Sequence, residues 1–197
     1  MTDSTLSCEK YPVLYHKNDI NHGKPTRRRQ KTEVEKLLFY PNENNETTFL
    51  LTQRASYKGT HSAQISFPGG KIEKSDKNLK ETALREAFEE VAVEQSSVEV
   101  FRELTDVYIP PSNFLATPFL GFVNQRPEFF SNHEVDQLIE VNLSDLLNDA
   151  SLTSVTLNTS YMKNTEVPCF KLNDYIVWGA TAMMLSEIKE LILANYS

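Results

Sequence analysis

Apolar positions recur at helical spacing over residues 82–91, where Leu84, Phe88 and Val91 fall at i, i+4 and i+7 with no glycine or proline between them. The spacing predicts an amphipathic helix with those three side chains as its buried face. A second helical pattern covers residues 180–194, where Met183, Met184, Leu185, Ile188, Leu191 and Ile192 make a wide apolar face. Elsewhere the apolar runs are shorter and richer in β-formers. Residues 34–40 and 47–53 read as two strands, and the turn formers of residues 41–46 between them predict a hairpin. Residues 54–66 read as a loop. Residues 97–108 read as a strand that ends at Pro110 and Pro111, since proline cannot donate to a ladder. Further strands are predicted over 117–123 and 134–141, a short helix over 143–147, and a late hairpin from 155–157 and 167–172. Trp178 is expected in the core. The irregular alternation of strands with two substantial helices predicts an α+β fold with a mixed sheet between helices.

Composition narrows the class. The 197 residues, 40% of them hydrophobic, are enough for one domain with a sizeable core, here residues 33–197, behind a polar N-terminal extension, residues 1–32. A formal charge of −7 argues against broad affinity for nucleic acid or anionic membranes. It does not argue against an anionic small-molecule substrate, because a bound cation supplies local positive charge. The two cysteines, Cys8 and Cys169, are far apart and outside any C-x-x-C pair, which fits a reducing compartment. No apolar run approaches the length of a membrane span or a signal-peptide core, so a cytoplasmic location is expected. Arg27, Arg28, Arg29 and Lys31 form a short basic run, read as a solvated loop or as a contact for substrate phosphates or for a partner.

The candidate chemistry lies in the first helix. Glu86, Glu89 and Glu90 fall at i, i+3 and i+4, so three carboxylates share a face. Their repulsion changes sign when a divalent cation is bound, and oxygen donors without cysteine or histidine suit Mg2+ or Mn2+. Gly69 and Gly70 precede the helix and let backbone approach a phosphate or metal. Glycines followed by clustered glutamates are what metal-assisted attack on a phosphoanhydride needs.

The stretch over residues 67–93 resembles a Nudix box, G-x5-E-x7-R-E-U-x-E-E-x-G-U with U apolar. Gly70, Arg85, Glu86, Ala87, Glu89, Glu90 and Val93 fall on the pattern. Asp76 stands where the first glutamate is expected, eight residues rather than seven separate it from Arg85, and Ala92 replaces the late glycine. The Asp76 substitution, the lead-in Leu50-Leu51-Thr52-Gln53-Arg54-Ala55, and the segments over 116–121 and 175–182 resemble the coenzyme A diphosphatase branch. Gly59 and Ala63 depart from that branch, which carries an arginine and a glycine at those places; Lys58 and His61 are the nearest replacements.

The resemblance implies a Nudix-type α/β/α sandwich. It implies hydrolysis of a nucleoside diphosphate-linked substrate, CoA or an acyl-CoA first, with ADP-ribose or a nucleotide sugar as alternative. A non-catalytic nucleotide-binding regulator is the reading from a different class. The implied metal ligands are Glu86, Glu89, Glu90 and the Gly69 carbonyl. Arg85 orients the carboxylates, and Glu134, in a Glu134-Val135 pair, is the candidate general base outside the box. Arg54, Lys58, His61, Gly69 and Gly70 are the candidate substrate contacts. A homodimer is left open.

Overall fold

The computed structural model of the chain describes residues 31–55, 64–159 and 162–195. Lys58, His61, Cys8 and the Arg27, Arg28, Arg29 run lie outside the described residues.

Strand β1 (Lys31–Pro41) is the spine of the molecule, and it starts within the last two residues assigned above to the extension. It turns back into β2 (Thr47–Arg54), with Phe39 opposite Phe49. Asn42 closes the turn: its Oδ1 accepts from the N–H groups of Asn44 and Glu46, each at 2.9 Å. An asparagine side chain that mimics a backbone turn is the expected device there. One edge of β1 pairs in parallel with β7 (Phe114–Phe122) along its length. The other edge is divided. Near Phe39 it takes β2, but at Glu33, Val34 and Glu35 it takes β4 (Gly69–Lys71), with Glu35 opposite Gly69. Between these two partners the N–H of Lys36 donates to the Pro68 carbonyl at 2.8 Å. The sheet is completed by β3 (Ile65–Ser66) and β8 (Val135–Asn142) on β2, and by β5 (Glu99–Glu103) and β6 (Val107–Ile109) on β7. One parallel pairing among antiparallel ones makes it the mixed sheet expected.

Helix α1 (Leu79–Val91) covers one face, where Val34, Leu38, Tyr40 and Leu50 pack with Ala83, Val91 and Phe119. The other face carries Leu37, Phe49 and Leu51 into the main core. There they meet Met184, Leu185 and Ile188 of α3 (Gly179–Asn195). Phe170, Leu172 and Val177 join them from a small antiparallel sheet, β9 (Leu152–Leu157), β10 (Thr165–Leu172) and β11 (Tyr175–Trp178). A short helix α2 (Leu143–Leu147) buries Leu146 beside them. The layering is helix, sheet, helix, as the pattern predicted.

Four details differ. The buried side of α1 is Thr82, Ala83, Ala87, Glu90 and Val91, while Phe88 is 47% exposed. Small side chains let the helix lie close over β1 and β4, and the period that marked Leu84 and Phe88 as inward selected the wrong stripe. The strand predicted over 97–108 is two strands, β5 and β6, with Leu104 between them donating to the carbonyl of Pro118 at 2.9 Å. Part of the stretch read as a loop over 54–66 is strand, since Arg54 ends β2 and Ile65 and Ser66 form β3. Trp178 ends β11 half-buried and outside the core clusters.

Candidate active site

Helix α1 begins where Asn78 caps it, accepting from the Glu81 N–H at 2.9 Å. It ends at Ala92, held in the left-handed region at φ 59. The N–H groups of Ala92 and Val93 donate to the carbonyls of Phe88 and Ala87 at 2.9 and 3.3 Å, so the turn that usually asks for glycine forms on an alanine.

The two glycines of β4 have separate reasons. A Cβ on Gly69 would overlap the Val34 carbonyl oxygen and meet the Glu35 Cα at 2.9 Å, so the strand approaches β1 only with a bare backbone. A Cβ on Gly70 would overlap the carboxylate of Glu86. The glutamate therefore rests directly on the glycine.

Arg85 is the hub. Its Nε and Nη2 donate to Oδ1 and Oδ2 of Asp76, both at 3.0 Å. Nη1 donates to Glu86 Oε1 and to Glu89 Oε2, both at 3.0 Å, and Nη2 also reaches the Lys71 carbonyl at 2.8 Å. Asp76 accepts further from the Thr82 hydroxyl and the Glu73 N–H, each at 2.9 Å. The Arg85 bonds, foremost, hold the Asp76 carboxyl well below the usual carboxylate range. The extra residue between Asp76 and Arg85 thus leaves their pairing intact.

Glu90 is turned inward and 5% exposed; its Oε2 accepts from the Gly69 N–H at 3.0 Å. Burial pushes its carboxyl up to about 7 against the opposing pull of that N–H and of Arg54. Burial also raises Glu86, with Arg85 opposing. Glu134 arrives on a loop stitched to the end of α1, where the N–H groups of Phe130 and Asn132 donate to the carbonyls of Val91 and Glu90 at 3.3 and 3.0 Å. The Glu134 carbonyl accepts from the Ala55 N–H at 2.8 Å, and its carboxylate stands 3.8 Å from Arg54. Its charge is felt at both Glu86 and Glu90. Arg54, Gly69, Gly70, Arg85, Glu86, Glu89, Glu90 and Glu134 therefore gather at one place.

Sequence reasoning missed Glu35. It sits on β1 opposite Gly69, its Oε2 out of solvent contact with no hydrogen-bond partner among the described residues. Burial raises its carboxyl well above the usual range, with Glu90, Glu33 and Glu86 adding to the shift and Arg54 opposing it. The available signal was two charges, Glu35 and Lys36, in the middle of an otherwise apolar strand pattern.

As the side chains stand, no three carboxylate, histidine or cysteine groups among the described residues converge on one point. Glu86 and Glu89 share Arg85, and Glu90 faces Gly69. The donor set still fits a hard divalent cation: it is all oxygen, and it includes a buried oxygen on Glu35 that nothing among the described residues satisfies.

A profile described as NUDIX domain matches residues 37–155. The chain belongs to the Nudix hydrolase family. Its Nudix relatives include NudL of Yersinia pestis (strain Pestoides F), described as an uncharacterized Nudix hydrolase. That protein is 34% identical over 148 residues, 75% of this chain and 73% of NudL. Among solved structures the Nudix hydrolase RenU of M. smegmatis superimposes with a TM-score of 0.58 at 15% identity, over 84% of this chain and 87% of that one. An Ap4A hydrolase of C. elegans, solved as a binary complex, gives 0.55 at 16% identity, over 84% and 98%. At such identities the solved structures bear on the Nudix fold alone. No described helix is long and apolar enough to cross a membrane.

Proposed function

We propose that this Nudix hydrolase cleaves the pyrophosphate of CoA or an acyl-CoA, giving (acyl-)4′-phosphopantetheine and adenosine 3′,5′-bisphosphate. The observation that carries hydrolysis is the retention of all three box glutamates around Gly69, Gly70 and the Arg85 hub. A nucleotide-binding regulator has no need of three carboxylates on one floor. The choice of CoA rests on the lead-in to the box and the segments over 116–121 and 175–182, which resemble the coenzyme A diphosphatase branch.

Glu86, Glu89 and Glu90, with Gly69, would hold Mg2+ or Mn2+, ions that Nudix hydrolases generally use. Bound there, the cation supplies charge that neutralises the pyrophosphate and acidifies water. Arg85 orients the carboxylates without touching the reacting atoms. Glu134 serves as general base and takes the proton of the attacking water at its carboxylate. The water oxygen forms a new P–O bond, the bridging P–O bond breaks, and each half leaves with its own phosphate. Arg54, Lys58 and His61 bind substrate phosphates, and Gly69 and Gly70 keep the floor open to them.

The test is kcat/KM with Mg2+ for CoA, acyl-CoAs, dephospho-CoA, ADP-ribose, NADH and nucleoside triphosphates. CoA species should rank first. Dephospho-CoA should follow by a modest factor, because a lysine at 58 offers a point charge where the branch has an arginine fork. Lys58→Ala should erase that gap. ADP-ribose as the best substrate would remove the CoA assignment and leave a Nudix hydrolase of another specificity. Tight nucleotide binding with no turnover of any substrate would favour the regulator.

A further inference from the structure

We propose that Glu35, on the central strand and outside the Nudix box, is a fourth carboxylate of the divalent-cation site. This rests on the metal-dependent reading above and adds a ligand to it.

Two other carboxylates in close surroundings are satisfied, Asp76 by Arg85, Thr82 and the Glu73 N–H and Glu140 by Tyr40 and Arg126, while Glu190 Oε1 on α3 is the second carboxylate oxygen buried without a partner among the described residues. Glu35 Oε2 is buried and has no such partner. The adjacent Lys36 does not supply one. Side chains alternate along a strand, and Lys36 lies on the α1 face, with Gly121 as a neighbour on β7, while Glu35 belongs to the other set. An unsatisfied buried polar group costs about 1–3 kcal/mol, and more when charged. Glu35 instead faces like charges, Glu90, Glu33 and Glu86, with Arg54 the only cation prominent around it. Clustered like charges are a liability in the protein by itself and an asset around a divalent cation, whose affinity is set by the number of charged ligands.

Geometry places the residue well for this. β4 lies against β1 with Glu35 opposite Gly69, and the Gly69 N–H already holds Glu90 at 3.0 Å. Glu35 and Glu90 therefore flank the same glycine, one from the sheet and one from the helix. A ligand from the spine strand would add a second tie between the cation and the sheet, beside Gly69 of β4.

The test uses the full chain and Mn2+ as probe. Binding is followed by the electron paramagnetic resonance signal of free Mn2+, and thermal unfolding is measured with and without the ion. Glu35→Gln keeps size and removes charge. In metal-free protein it should melt at or above the wild-type temperature, because an unpartnered charge is gone. Its Mn2+ affinity should fall by about tenfold or more. Glu33→Gln removes the same charge from the same strand and should change affinity by less than about threefold. Unchanged Mn2+ affinity in Glu35→Gln, an equal loss in Glu33→Gln, or a lower melting temperature in metal-free Glu35→Gln would each overturn the proposal. Failure of the wild type to bind Mn2+ would instead overturn the metal-dependent reading itself, so the two failures are distinct.

Discussion

Arg85 grips Asp76 through two parallel hydrogen bonds, Nε to Oδ1 and Nη2 to Oδ2, each 3.0 Å long. This fork fixes the guanidinium plane, and the remaining Nη1 donor then spans Glu86 and Glu89. A planar group with several fixed donors does this, and a lysine does not.

On the proposed reading Arg85 is a positioning residue. Arg85→Ala should lower kcat by roughly 10–100-fold through misplaced carboxylates while changing KM less. Arg85→Lys should rescue little of it. Steady-state kinetics on the preferred substrate checks this. A large rise in KM with kcat unchanged would show instead that Arg85 holds substrate.

The glutamates should be needed one by one. Glu89→Gln and Glu90→Gln each should cut kcat by about 100-fold or more, since charge stabilisation is often the largest catalytic contribution. Excess EDTA should abolish turnover and Mn2+ should restore it. Full activity in EDTA would end the metal reading.

Glu90 gives metal-free protein a signed pH dependence. An unfolded glutamate ionises near 4.5, whereas Glu90 in the fold ionises at about 7 because burial disfavours its charge. Between those values the native state holds the extra proton, so stability falls as pH rises through that window and levels off above it. The loss is about 1–3 kcal/mol. Denaturant titrations of metal-free protein from pH 4.5 to 8 should show the slope, and Glu90→Gln should flatten it.

Lys36 is the mirror case. It is wholly buried on the α1 face with no hydrogen-bond partner for its Nζ, and burial lowers its amine from 10.5 to about 7. From about pH 7 to 10.5 the unfolded chain binds the extra proton, so the Lys36 penalty is full below that window and fades as pH rises. Lys36→Met should stabilise the protein at neutral pH by on the order of 3 kcal/mol, and the gain should shrink toward pH 10. An equal gain at both pH values would show that packing and not charge is responsible.

Ala92 carries a smaller cost. An alanine in the left-handed region is strained by about 1 kcal/mol relative to glycine. Ala92→Gly should raise stability by about that amount without altering kcat, read from the midpoint of urea unfolding.

Much of this was legible before any coordinates. The glutamate spacing, the glycine pair and the late helix come from short-range patterns, and each survives in α1, β4 and α3. What failed depended on tertiary context. Phe88 shares a helical stripe with Val91, yet the close approach of α1 to the sheet favours Ala83 and Ala87 at the contact. The region between β5 and β6 reads as continuous strand, but a bond from Leu104 to Pro118 reroutes it. Glu35 was not among the candidates read from the sequence. Its importance comes from Gly69, more than thirty residues away in sequence and opposite it in the ladder.

The end of β2 and the start of β3 are clasped together. The Arg54 N–H donates to the Gln64 carbonyl at 3.0 Å, the Ala55 N–H to the Glu134 carbonyl at 2.8 Å, and Thr52 stands opposite Ser66 in the sheet. The separation of Ala55 and Gln64, the two ends of the segment between them, is thus set by the ladder. Lengthening such a segment costs only about 0.6 kcal/mol per doubling. A change of length between two residues so clasped thus leaves α1 and its glutamates where they are.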